Sequence, residues 1–82
     1  MVKISFDDNF REIFSKIKDN FMKGRIVKQF EKIKQNPEIG KPMRFDRKGT
    51  RELYIGSFRL SYAYIKEEDK VIILKLYHKD EQ

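Results

Sequence analysis

Polar and apolar residues alternate in VKISF, residues 2–6, and Asp7-Asp8 closes the run. A two-residue period of this kind predicts a short strand. The period then changes. Phe10, Ile13, Phe14, Ile17 and Phe21 recur at helical spacing, with Arg11, Glu12, Lys16 and Lys18 between them. Asp7 or Asp8 stands where a side chain caps a first helical turn. Asp19-Asn20 interrupts this helix or lies near its end. A second helix puts Ile26, Val27, Phe30 and Ile33 on one face and Lys28, Gln29, Lys32 and Lys34 on the other. Asn36-Pro37 ends it, because the residue before a proline avoids the helical region. Joined this closely, the two helices are expected to form an antiparallel hairpin.

Residues 36–50 contain both prolines and two of the four glycines and read as one long loop. Three strands are predicted beyond it, at residues 51–55, 58–65 and 70–77, with a tight turn at Gly56-Ser57 and a charged turn at residues 66–69. VIILKLY is almost continuously apolar, as in a strand inside a sheet. The order β-α-α-β-β-β gives an α+β fold over residues 1–82, a single domain with the helical hairpin on one face of a small, largely antiparallel sheet. The chain has nothing left to cover the other face. FRLSYAY assigns Phe58, Leu60, Tyr62 and Tyr64 to one side and Arg59, Ser61 and Ala63 to the other. The bulky set suits packing under helices, and the small polar set suits an open floor. If Ile65 pairs with Lys70, an unbroken ladder sets Arg59 opposite Leu76 and Ser57 opposite His78. Arg59 and His78 would then be diagonal neighbours on the open face, roughly 7–8 Å apart.

Composition narrows the chemistry. Eighty-two residues support one core. The sequence has no Cys and one His, which excludes disulfides, thiolate metal sites and multi-histidine metal sites. No apolar run reaches membrane-spanning length, and MVKISFDDNF lacks the apolar region of a signal peptide, so a cytoplasmic protein without membrane contact is expected. The net charge is +6, and it is concentrated. Between positions 41 and 59, Lys41, Arg44, Arg47, Lys48, Arg51 and Arg59 face only Asp46 and Glu52, a net of +4. A block like this attracts phosphate backbones and speeds encounter with them.

The ordered set of motifs resembles the RelE/ParE superfamily of toxins from toxin–antitoxin pairs. It runs through NPEIGKPMRFDRKGTRELYIGSFRLSYAY and then VIILKLYHKDE. The matching features are a helix-ending Asn36-Pro37, Gly40-Lys41-Pro42, a basic turn ending at Gly49, and a strand. The Gly-x-aromatic-Arg-x-x-Tyr element from Gly56 to Tyr62 follows, and then an apolar strand closed by His78-Lys79. The helices before Asn36 also fit, so the resemblance covers essentially the whole chain, and its RelE-like branch is favoured.

The resemblance implies a ribosome-dependent endoribonuclease that cuts messenger RNA in the A site without a metal or other cofactor and so inhibits translation. In that chemistry the ribose 2′-hydroxyl attacks the neighbouring phosphate. Arg59 matches the arginine that holds the scissile phosphate. His78 and Lys79 match the residues that protonate the leaving group or stabilise charge. Arg44, Arg47, Lys48, Arg51 and Tyr54 are the expected RNA-binding residues. Glu52 or a lysine is the candidate base. Tyr54 stands where relatives often have arginine, and the tyrosine that many carry beyond the histidine has no counterpart here, which leaves Tyr54 or Tyr77 as the stacking surface. The alternative is a ParE-like inhibitor of DNA gyrase or a non-catalytic binding member of the fold. The implied partners are the ribosome with its message and an acidic antitoxin that folds as it binds. A protein of net charge +6 with one bare sheet face suits such an acidic amphipathic segment.

Overall fold

Two aspartates set where the helices begin. The Asp7 side chain accepts from the Asn9 backbone N–H at 2.9 Å, and the Asp19 side chain accepts from Phe21 and Met22 at 2.9 and 3.2 Å. Each satisfies donors that a first helical turn leaves without partners. The computed structural model describes residues 2–44 and 49–81. Strand β1 (Lys3–Phe6) leads to helix α1 (Asp8–Ser15), and helix α2 (Asn20–Gln35) ends at Asn36. Then come β2 (Lys41–Pro42), β3 (Thr50–Ile55), β4 (Phe58–Ile65) and β5 (Lys70–His78). Short 3-10 turns at Lys66–Glu68 and Lys79–Glu81 follow β4 and β5. No helix among the described residues is long and apolar enough to cross a membrane.

The α+β class and the element order agree with the sequence reading, with three differences. The helices divide at residues 16–19, so Phe21 lies in the first turn of α2, where it is 75% exposed. Asp19 competes for the backbone there and wins as a cap. The segment read as one long loop contains β2, which pairs antiparallel with the edge of β3. The sheet therefore has five strands, in the order β1-β5-β4-β3-β2, and β1 runs parallel to β5.

Both helices cover one face, α1 against β5 and α2 against β1 and β3. Phe6, Phe10 and Phe30 form an aromatic junction between β1 and the helices, with ring centroids 5.2 to 6.0 Å apart. Ile26 and Ile33 of α2 are fully buried against Ile55, Leu60, Tyr62, Val71 and Ile73. Each such side chain contributes about 1.5–3 kcal/mol through removal from water.

The third difference concerns register. Ile65 does pair with Lys70, as expected, and the ladder holds to Tyr62↔Ile73. It then slips, because the next pair is Ser61↔Lys75 and Leu74 is left as the extra residue of a bulge. Arg59 thus lies opposite Tyr77, and His78 lies opposite Phe58. An unbroken ladder would have put Lys75 under the helices and Leu76 on the open side. The bulge reverses both, and Leu76 is buried with Leu60. Arg59 and His78 accordingly belong to opposite faces, which corrects the diagonal pairing expected from the sequence.

Candidate functional site on the open face of the sheet

The open face is organised in rows by the register. One row is Tyr54, Arg59, Tyr77, and the next is Lys41, Glu52, Ser61, Lys75. The assignment of Arg59, Ser61 and Ala63 to this face agrees with the sequence reading.

Arg59 is held at the mouth of the β3–β4 turn. Gly56 takes φ +58°, a backbone conformation that side chains disfavour, and so lets the chain reverse in two residues. The Arg59 Nη1 donates to the carbonyls of Gly56 at 3.3 Å and Phe58 at 3.1 Å. Its guanidinium carbon lies 3.9 Å from the centre of the Tyr54 ring. Stacking and back-bonding fix the plane of the group. Among the described residues no acceptor meets Nη2 or Nε. A planar fork fixed in this way is suited to a phosphate oxygen pair. Tyr54, at 56% exposure, offers its ring beside it.

Below this row the Tyr77 hydroxyl donates to the Glu52 carboxylate, which is 4% exposed. Ser61, small and buried, is the β4 residue between Glu52 and Lys75. Lys41 and Lys75, both exposed, end this row as further cations. Neither stood among the residues expected to bind RNA. The phase change in VIILKLY was the available signal for Lys75, since strict alternation would bury a lysine.

The remaining expected residues occupy other places. Arg51 points to the helix side, where Nη1 donates to the carbonyls of Glu38 at 2.9 Å and Gly40 at 2.8 Å, and Nη2 lies 3.6 Å from the Glu38 carboxylate. It secures the 36–40 segment. Tyr62 does the same from the core, donating to the Pro37 carbonyl at 2.7 Å and accepting from the Gly40 N–H at 2.9 Å. Burial raises the Tyr62 phenol above its ordinary 10.0, against the opposing pull of the Gly40 N–H and Arg51. A Cβ on Gly40 would come within 2.7 Å of the Tyr62 hydroxyl oxygen, so the close approach requires glycine. Arg44 is exposed just beyond β2, while Arg47 and Lys48 lie outside the described residues.

His78 stands edge-on to Phe58, with ring centroids 5.3 Å apart, on the helix side of the sheet rim. Its Nδ1 accepts from the Asp80 backbone N–H at 3.3 Å. The Lys79 backbone N–H donates to the Ser57 carbonyl at 2.8 Å, which fastens the end of β5 beside the Gly56-Ser57 turn. Arg59, His78 and Lys79 therefore gather at one turn, on its two sides. No cluster of three or more His, Asp or Glu side chains suited to a metal occurs among the described residues.

Comparison with known proteins bears on the fold and the family. None of the curated proteins matches the chain. The toxin–antitoxin complex RelBE2 from Mycobacterium tuberculosis is similar at 26% identity and TM-score 0.82, over 94% of this chain and 96% of that one. The intact RelBE complex from E. coli superposes at TM-score 0.82 with 16% identity, over 95% and 96% of the two chains. The YoeB/ParE toxin from Agrobacterium tumefaciens does so at 0.83 with 14% identity, over 94% and 98%. At the lower identities the likeness is one of fold. The family described as "ParE toxin of type II toxin-antitoxin system, parDE" matches residues 4–82. The chain belongs to that family and is a toxin of the RelE/ParE superfamily of type II toxin–antitoxin systems.

Proposed function

We propose that this toxin is a ribosome-dependent messenger RNA endonuclease that acts in the cytoplasm and is held in check by an acidic antitoxin. The observation that carries the reading is the Arg59 guanidinium, fixed on the half-exposed Tyr54 ring on the face of the sheet away from the helices. Arg59 holds the scissile phosphate and the charge that grows on it, and Tyr54 stacks on an adjacent base. Arg44, exposed beyond β2, adds positive charge near this face, whereas Arg51 is committed to Glu38 and Gly40 on the helix side. The 2′-oxygen attacks phosphorus and gives its proton to a base, for which Glu52 or a lysine is the candidate, while the bond from phosphorus to the 5′-oxygen breaks. The products are a 2′,3′-cyclic phosphate and a 5′-hydroxyl. His78 and Lys79 at the rim are assigned the proton for the departing 5′-oxygen. His78 reaches it only if the RNA passes over the strand end, because its ring is on the helix side. Similar toxins are seen in complexes with their antitoxins in E. coli and Pyrococcus horikoshii, which supports a cognate antitoxin here.

The test is cleavage of a defined message on programmed ribosomes, with ends mapped and their phosphates identified. Wild type is expected to cut in the A site and leave cyclic phosphate ends. Arg59→Ala should lower the rate by about 10²–10³-fold, the usual effect of losing one fixed donor to developing charge. Intact messages with the wild-type toxin would sink the proposal. The separation of His78 from Arg59 by the bulge favours one second reading, a non-catalytic member of the fold such as a gyrase inhibitor. That reading predicts normal translation with arrested DNA replication.

A further inference from the structure

A second arginine, outside the open face, stands close to the β3–β4 turn. A Cβ built on Gly56 would lie 3.5 and 3.7 Å from Nη1 and Nη2 of Arg25, which comes from α2 on the helix side. The Gly56 carbonyl accepts from Arg59 on the other side. One guanidinium group thus bonds the glycine's carbonyl, and a second, from α2, stands over the space its missing side chain leaves open. Arg25 also begins a series. Phe21, Arg25, Lys28 and Lys32 fall at the i, i+4, i+7, i+11 spacing of one helical stripe, and all four are exposed. The stripe flanks the buried Ile26 and Ile33 and contains no carboxylate. Among the described residues none of its three cations makes an ion pair. A solvated helix face normally interleaves its charges, as Glu12 and Lys16 do on α1 and Glu31 and Lys34 do elsewhere on α2. Phe21, at 75% exposure, adds an uncovered ring at the start of the stripe.

We propose that the RNA strand gripped at Arg59 continues over the Gly56-Ser57 turn onto this flank of α2, where Arg25, Lys28 and Lys32 take successive phosphates and Phe21 offers a stacking surface. Lys28 to Lys32 continues from Arg25 for about 10 Å along the helix axis, room for more than one phosphate. The path passes the end of β5, where Lys79 is fastened to Ser57, and so brings the strand past His78 on the side its ring occupies. An acidic protein segment has the same charge complementarity. RNA is favoured because the stripe is continuous with the Arg59 grip through a shared glycine and begins with an exposed aromatic ring.

This inference rests on the RNA reading of the open face, and its test separates the two. Affinities of the full chain for single-stranded oligouridylates of increasing length are measured across a salt series. Wild type is compared with Arg59→Ala and with the triple variant Arg25→Ala, Lys28→Ala, Lys32→Ala. All four positions changed are surface cations, and circular dichroism confirms that each variant is folded. Removing one cation from its phosphate should lower the slope of log affinity against log salt by about 0.7. For long oligonucleotides the triple variant should lose about 2 from that slope, while short ones bind it like wild type; Arg59→Ala should weaken both. Equal slopes for wild type and the triple variant at every length would overturn the proposal, as would a wild type that binds none of the oligonucleotides. A triple variant that keeps its RNA affinity but loses polyglutamate binding would assign the stripe to a protein partner and overturn it too. Cleavage on programmed ribosomes is scored in parallel. Wild-type cleavage with an unaffected triple variant rejects only the flank, whereas oligonucleotide binding with the expected slopes but no cleavage rejects only the nuclease.

Discussion

Tyr62 shows how one side chain carries the core into the site's surroundings. It is fully buried, yet its hydroxyl ties Pro37 and Gly40, the segment from which the basic block departs. Tyr62→Phe would leave the buried Gly40 N–H without its acceptor, and the expected cost is about 1–3 kcal/mol. Urea unfolding at neutral pH checks this, and a loss below about 0.5 kcal/mol would mean that another acceptor replaces the hydroxyl. The raised phenol adds a pH dependence with a definite sign. Below the ordinary tyrosine value of 10.0 the phenol is neutral folded or unfolded, and its contribution is intact. Above about pH 10 the unfolded chain gives up the proton first, so stability falls as pH rises toward the folded value. Wild type should therefore lose urea resistance between about pH 9 and 11 faster than Tyr62→Phe, and parallel curves would reject the assignment. From the sequence, Tyr62 was legible as core and Arg59 as an open-face residue, because alternation within one strand is a local property. The two carbonyls held by Arg51 were not legible, since they lie 11 and 13 residues away in sequence and depend on how the 36–40 segment folds back.

At the scale of elements, the bulge in β5 decides which chemistry the open face receives. Without it Lys75 would face Leu60 and Leu53, and Leu76 and Leu74 would lie bare. With it Tyr77 reaches Glu52, Lys75 joins the floor and His78 is turned away. The two registers predict opposite mutational patterns. Leu76→Ala should cost about 2–5 kcal/mol, as for a leucine removed from a packed core, whereas Lys75→Ala should change stability by less than about 0.5 kcal/mol. Denaturation midpoints of the two variants decide between them, and a large loss at Lys75 with none at Leu76 would restore the unbroken ladder. The strands themselves were legible, including the residues 58–65 boundary, because period-2 alternation and the Gly56 turn are written locally. The slip was partly legible: apolar positions 71, 73 and 76 around a lysine at 75 already change phase. Strand β2 was not, because a two-residue edge element has no period and is defined only by its pairing with Arg51 and Glu52.

For the whole molecule, the imbalance between its two faces is the dominant fact. The helices and their aromatic junction cover one side, while the other presents Tyr54, Arg59, Lys41 and Lys75 around the buried Glu52 carboxylate, within a chain of net charge +6. A surface that attracts phosphate backbones also attracts carboxylates arranged at similar spacing, so the protein that restrains this toxin is expected to be acidic and to order itself on binding. Binding that favours the folded toxin raises its stability by mass action, by about 2.7 kcal/mol at a partner concentration of one hundred times Kd. In a domain of this size each kcal/mol moves the melting temperature by roughly 4–8 °C, so the cognate antitoxin should raise it on the order of 10 °C. Thermal melts with and without the antitoxin, repeated at high salt, measure the effect. A shift that shrinks as salt rises identifies charge pairing as its source, because screening at 1 M reduces the reach of exposed charges to about 3 Å. A shift that salt leaves unchanged would mean that complementarity of shape carries the binding, and no shift at low salt would reject the partner outright.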